Sequence, residues 1–472
     1  MVTVGSNNSI SLIKTKEKLL SAVSIALNSL TAASIYTYPV FSPALQSQLK
    51  FSVQQVSATV SIVILLQYIS SAIWGAFSDR YGARRVSFLA AILFFCGYSG
   101  LMHFIKNPTP GIDHSSIYSW ICVTLAFSLC GMATAASYFA AITASAKTFG
   151  SSHPSLSIAG PSSLLALGPL LYTFLAAHYF ITSDKGFDTV AYLRMLAYLS
   201  LVVNLLGAFS LRSEIQAFTI RINERTSLLS ETYVDNSNQL SSPIDSAQDC
   251  GTFGFISKPT VWLFGFAVLL TSGPAEMTLS SIGYVVDAYD PSAGVEIKAK
   301  HIQLISIANT ASRVIMGYLS DRLCGQGWGG RLTFLTLAPF TYCLVCLCFG
   351  LGGKCLWLLS LFTGICYGTL FALAPSLVAI VWPLKSFGRN FGIISYFAAT
   401  GSFLFTLVFG ILFEEEPVKR HGDINTIIRV AKFQKSSIES VQKVYRLSFL
   451  SELIALVLIL VLYKAYWSKK RS

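Results

Sequence analysis

The chain has 472 residues, 53% of them hydrophobic and only 12% charged, about half the charged share of soluble domains. Charge this sparse cannot clothe the two or three soluble domains such a length would need, and several apolar runs reach bilayer-crossing length. The net charge of +12 sits in short clusters between apolar runs rather than on a solvated basic face, which argues against nucleic acid as a partner and for loops beside a lipid bilayer.

The opening MVTVGSNNSISLIKTKEK is polar and basic, and the apolar run after it is long enough to stay in the membrane, so no cleavable leader is expected. Spans are predicted at 19–41, 53–77, 86–105, 117–145, 155–181 and 190–211, then at 260–286, 301–320, 332–352, 355–382, 389–413 and 447–467. They must be helices, because lipid offers no partner to exposed backbone groups. The predicted fold is therefore an all-α membrane protein, with twelve transmembrane helices in two pseudo-repeated six-helix bundles at 1–211 and 259–472. Lys and Arg collect in the loops that are inner if both termini are cytosolic; the basic connection at 414–446 is the exception.

Between spans two and three the chain reads Gly75-x-x-x-Asp79-Arg80-x-Gly82-x-Arg84-Arg85, and between spans eight and nine Gly317-x-x-x-Asp321-Arg322. One element in the equivalent loop of each half indicates internal duplication, an architecture typical of transporters. The glycines let helices approach closely, and each Asp can meet a helix N-terminus or an Arg, as a gate requires. Topology alone accounts for Arg84 and Arg85 equally well, but asks for neither the Gly nor the Asp.

The connector 212–258 is rich in Ser, Asn and Asp and is expected to be disordered and cytosolic. Within it, Glu224, Leu228 and Leu229 form an acidic dileucine pattern, whose apolar pair suits the pocket of a sorting adaptor. In span seven, Glu276 follows Gly273 and Pro274 at a helix break, where a carboxyl is a candidate for proton exchange or for pairing with Arg313. Arg313 stands eight residues before Asp321, about 12 Å into a core about 30 Å thick, and needs a partner or a wet cavity. Asn28, Gln67, Tyr138 and Tyr367 either line such a cavity or bond between helices. Cys343, Cys346 and Cys348 lie inside an apolar run and read as packing residues, so no metal is expected.

The first loop motif resembles the signature loop of the major facilitator superfamily, and the second its weaker counterpart, with span count and halves extending the likeness over the whole chain. SGPAEMTLSSIG (272–283), NTASRVIMGYLSDR (309–322), GICYGTLFALAPSLVAIVW (364–382) and SFGRNFGIISYFAATGS (386–402) resemble the nodulin-like branch, and within it the fungal monocarboxylate-transporter homologues of the vacuolar membrane. The resemblance implies a substrate-facing Arg313 and delivery to the vacuole. It departs at Asn309, where monocarboxylate carriers have an acid, and in span one, which lacks their Lys.

The expected function is transport of a small organic solute, such as a monocarboxylate anion, by alternating access, proton-coupled or facilitative. The substrate-binding set is Arg313, Glu276, Asn309, Tyr138 and Tyr367. No G-x-x-x-x-G-K-[ST] occurs, so no ATP and no cofactor is expected, and the working form is expected to be a monomer. A receptor of the same fold that binds a solute without completing transport is the rival. A membrane-embedded enzyme finds no nucleophile constellation in the spans.

Overall fold

The computed structural model describes residues 4–106, 117–182, 186–211, 251–292, 295–324, 328–412 and 424–469. Glu224, Leu228 and Leu229 lie outside them. All twelve predicted spans are helical. Spans two to six are Val53–Tyr81, Ala83–Lys106, Ile117–Phe149, Pro154–Tyr179 and Thr189–Ser210. Spans seven to eleven are Pro259–Tyr289, Val295–Cys324, Trp328–Gly350, Leu356–Val381 and Phe387–Leu412. Among the described residues, eleven helices are long and apolar enough to cross a membrane. Span eight falls short because Gln303, Asn309 and Arg313 interrupt its apolar middle and charged residues flank it at both ends.

Two spans differ from expectation. Span one is broken: an α-helix at Val4–Ala32 passes through a 3₁₀ turn at Ala33–Thr37 into a second helix at Tyr38–Gln48. Pro39 has no N–H to give an α-helical bond to Ile35, and the tighter turn absorbs the loss. Span twelve is longer than predicted. It is one helix from Ile424 to Lys469, of which Ser436–Ala465 is long and apolar enough to cross a membrane. Much of the segment read as a connection is thus helix; Glu439, Lys443 and Arg446 masked it by interrupting the apolar run. A two-residue hairpin, Ile181–Thr182 against Gly186–Phe187, links spans five and six.

The chain forms two compact units, Met1–Thr252 with Val378–Ile393, and Phe253–Leu377 with Ile394–Ser472. In the first, span four is the centre, packing on spans one, two, three and five. Its run GMATAASYFAAITASA is almost wholly buried, because small side chains let backbones meet where dispersion, not water, drives association. In the second, spans seven and nine pack on span twelve, around buried Tyr342, Tyr445 and Phe349. Span eight crosses span ten at Gly364 and Gly368, where an added Cβ would strike the Ile305 and Asn309 carbonyl oxygens. That crossing fixes the depth of the next turn, which carries Arg313.

Candidate functional site

In the first unit the repeated loop element builds a charged cluster. The Lys147 ammonium, on span four, donates to Asp79 Oδ1 at 2.7 Å, with both side chains at most 9% exposed. The other carboxylate oxygen, Oδ2, accepts from the backbone N–H of Arg389 at 2.8 Å, and the Gly388 N–H also faces the carboxylate. These donors belong to the first turn of span eleven, where N–H groups lack helical partners and the helix dipole favours an anion. Gly75 makes the contact possible: it packs backbone to backbone against Gly388, and a Cβ on either would overlap the other's carbonyl. Next to it, Ser78 and Thr143 share a hydrogen bond of 2.6 Å.

The other motif residues shape the corner. Gly82 alone separates spans two and three, at φ +88°, a conformation that L side chains rarely adopt. The Arg84 Nε–H donates to the Leu211 carbonyl at 2.8 Å, closing the end of span six. Arg80 lies over the Tyr81 ring. Arg85 lines a cavity of about 450 Å³ with Phe77, Phe88 and Phe209.

The second copy is paired differently. Asp321 Oδ1 accepts from Arg331, at the start of span nine, at 2.9 Å, and both side chains are buried. Gly317 is buried on span eight and Arg322 is exposed. Lys147 and Arg331 were legible only as loop cations; their sequence distance from each Asp hides the pairing. Asp79→Asn keeps an acceptor for the Arg389 N–H but leaves the Lys147 charge buried and uncompensated. We expect a loss of about 3 kcal/mol, read as a lower thermal midpoint, with Lys147→Met in the same chain restoring most of it. Additive losses in the double variant would refute the pairing.

Deeper in the second unit, Arg313, Glu276, Asn309 and Tyr367 come together. Arg313 is 5% exposed. Its Nε–H donates to Asn309 Oδ1 at 2.9 Å, and its guanidinium carbon lies 5.9 Å from the Tyr367 ring centroid and 5.5 Å from that of Phe371. Glu276 hydrogen-bonds with Tyr367 and feels the Arg313 charge. Asn309, on the turn before Arg313, thus meets the guanidinium with a neutral oxygen. Tyr138 is in the first unit, its ring edge-on to Phe139. Asn28 and Gln67 bond between helices, to Ser87 at 2.8 Å and to the Tyr36 hydroxyl at 2.9 Å.

The family model described as Major Facilitator Superfamily matches residues 23–406. The chain belongs to the major facilitator superfamily.

Proteins that this superfamily member resembles include ones named "Probable transporter MCH1". That of Gibberella zeae is 26% identical, the match covering 84% of this chain and 81% of the relative. That of Saccharomyces cerevisiae is 23% identical, covering 86% and 85%. Among solved structures, an outward-facing bacterial homologue of the iron transporter ferroportin aligns with a TM-score of 0.62 at 16% identity, covering 94% of this chain and 99% of that one. The proton:xylose symporter XylE, bound to 6-bromo-6-deoxy-D-glucose, aligns with a TM-score of 0.59 at 15% identity, covering 92% and 95%. At such identities these structures support the fold alone. The superfamily places the chain among membrane transporters rather than enzymes.

Sequence reading missed one further group in this superfamily member. Glu452, on span twelve, is fully buried. The signal was a lone acid in the apolar run SFLSELIALVLILVLY.

Proposed function

We propose that this transporter moves a small organic anion, such as a monocarboxylate, by alternating access of two six-helix halves, 1–211 and 259–472, across the vacuolar membrane. The single observation that supports the anion is the Arg313 cation itself, sunk in an intramembrane cluster with its Nε–H on the neutral Asn309 oxygen and its guanidinium beside the Tyr367 and Phe371 rings. Glu276, facing the same guanidinium, is the proposed proton-coupling group: with its proton on, it yields Arg313 to the solute, and with its proton off it competes. The Asp79–Lys147 cluster on the first turn of span eleven serves as the gate, and the Asp321–Arg331 pair as its counterpart.

The vacuolar address rests on the resemblance to the nodulin-like branch and on the dileucine pattern for a sorting adaptor. Lys and Arg placement supports cytosolic termini, and a monomer suffices for such a cycle. Counterflow of radiolabelled monocarboxylates into proteoliposomes tests the whole reading. We expect uptake that rises as the outer pH falls in the natural protein and no longer follows pH in Glu276→Gln. Unchanged pH dependence in that variant would remove Glu276 from coupling. Solute binding without counterflow would favour the receptor reading.

A further inference from the structure

Span seven has a gap in its hydrogen-bond ladder. Pro274 has no N–H, so the Leu270 carbonyl one turn earlier loses its helical donor. Span twelve supplies a replacement: the Ser451 hydroxyl donates to the Leu270 carbonyl at 2.8 Å. The residue after Ser451 is Glu452, fully buried. It faces Thr271 on span seven, and the Cys343 and Cys346 thiols of span nine and the Cys366 thiol of span ten lie within its electrostatic reach. Among the described residues, neither the Thr271 hydroxyl nor either Glu452 carboxyl oxygen has a hydrogen-bond partner.

An ionised carboxylate sealed from water with neither cation nor donors is among the costliest groups a protein interior can hold. A metal would compensate it, but among the described residues no three His, Cys, Asp or Glu groups are placed to hold one. The remaining way to remove the charge is a proton. A neutral acid needs one acceptor, and the neighbouring Thr271 oxygen, itself without a hydrogen-bond partner, is the candidate.

We propose that Glu452 is a proton-binding site of the second unit, loaded in the arrangement described and unloaded when the break at Gly273 and Pro274 opens to water. This goes beyond the role proposed for Glu276 and does not depend on the solute carried. Loss of the Ser451–Leu270 bond is the step that frees span seven at the break. The proton then passes from the Glu452 carboxyl to the water that enters.

Two measurements on the full-length protein test it. The infrared C=O band of a protonated carboxylic acid should be present at neutral pH, missing its Glu452 component in Glu452→Gln, and carrying that component still in Glu276→Gln. Should Glu452→Gln fail to accumulate, peptide mapping of the natural protein decides. Dicyclohexylcarbodiimide, which partitions into lipid and adds to protonated carboxyls, should label Glu452, and a water-soluble carbodiimide should not. A band unchanged in Glu452→Gln, no labelling, or equal labelling by both reagents would each overturn the assignment. The release route has its own readout: on transfer to D₂O the band should shift about fivefold faster in Ser451→Ala, the factor for one lost hydrogen bond of about 1 kcal/mol. An equal rate would refute opening at the break. Absence of monocarboxylate transport would leave the proton site standing.

Discussion

Arg313→Gln is expected to lower monocarboxylate counterflow by about 30-fold or more, since truncating one partner of a buried charge pair costs about 2–5 kcal/mol. The side chain is held by three independent features. Gly364 and Gly368 bring span ten against the backbone of span eight, Asn309 fixes the Nε–H, and the Tyr367 and Phe371 rings lie beside the guanidinium. The glutamine can still meet Asn309, so folding should persist while the cation is gone. Arg313→Lys should recover only part of the activity, because an ammonium cannot serve Asn309 and a carboxylate in one planar fork. Counterflow in Arg313→Gln close to that of the natural protein would exclude the anion reading.

Gly75→Leu is expected to abolish counterflow and to leave little monodisperse protein on size-exclusion chromatography. Overpacking of a core costs about 1–3 kcal/mol when side chains can shift. Here the obstacle is main chain. The first atom of the new side chain meets the carbonyl group of Gly388, and the neighbouring crossing is equally tight, with Gly392 against Ala72. Neither helix can give without dragging Asp79 off the Arg389 N–H. Gly160→Ala is the control, since nothing lies within 4 Å of its added Cβ. Similar yields and thermal midpoints for the two variants would contradict the backbone contact.

The fold was legible in the sequence to the extent that lipid dictated it. Eleven spans followed from apolar length, the more polar span eight was placed beside them, and the duplicated Gly-x-x-x-Asp-Arg marked its own importance because topology needs neither the Gly nor the Asp. What stayed hidden depended on distance or on averaging. The partners of Asp79 and Asp321 lie in other loops and read there as ordinary cations. The 3₁₀ turn at Ala33–Thr37 sits in a run without charge, so only the position of Pro39 hinted at a break. The start of span twelve was placed late because its first turns carry charge. Asn309 read as the absence of an acid, whereas in the structure its Oδ1 is the acceptor for the Arg313 Nε–H. Glu452 escaped notice because one carboxyl hardly alters the apolar character of the segment around it.

The one helix too polar to qualify as a span by itself has a consequence for how the chain is made. During synthesis span eight would meet the insertion machinery with Arg313 near its middle, a residue that costs about 2.5–3.5 kcal/mol there. Its Asp321 is neutralised by Arg331, and its Asn309 turn is pressed onto Gly364 and Gly368. Both supports arrive later from the ribosome. Lateral entry of this helix into lipid is therefore expected to wait for its successors, with spans eight, nine and ten entering as a single cotranslational package rather than one by one.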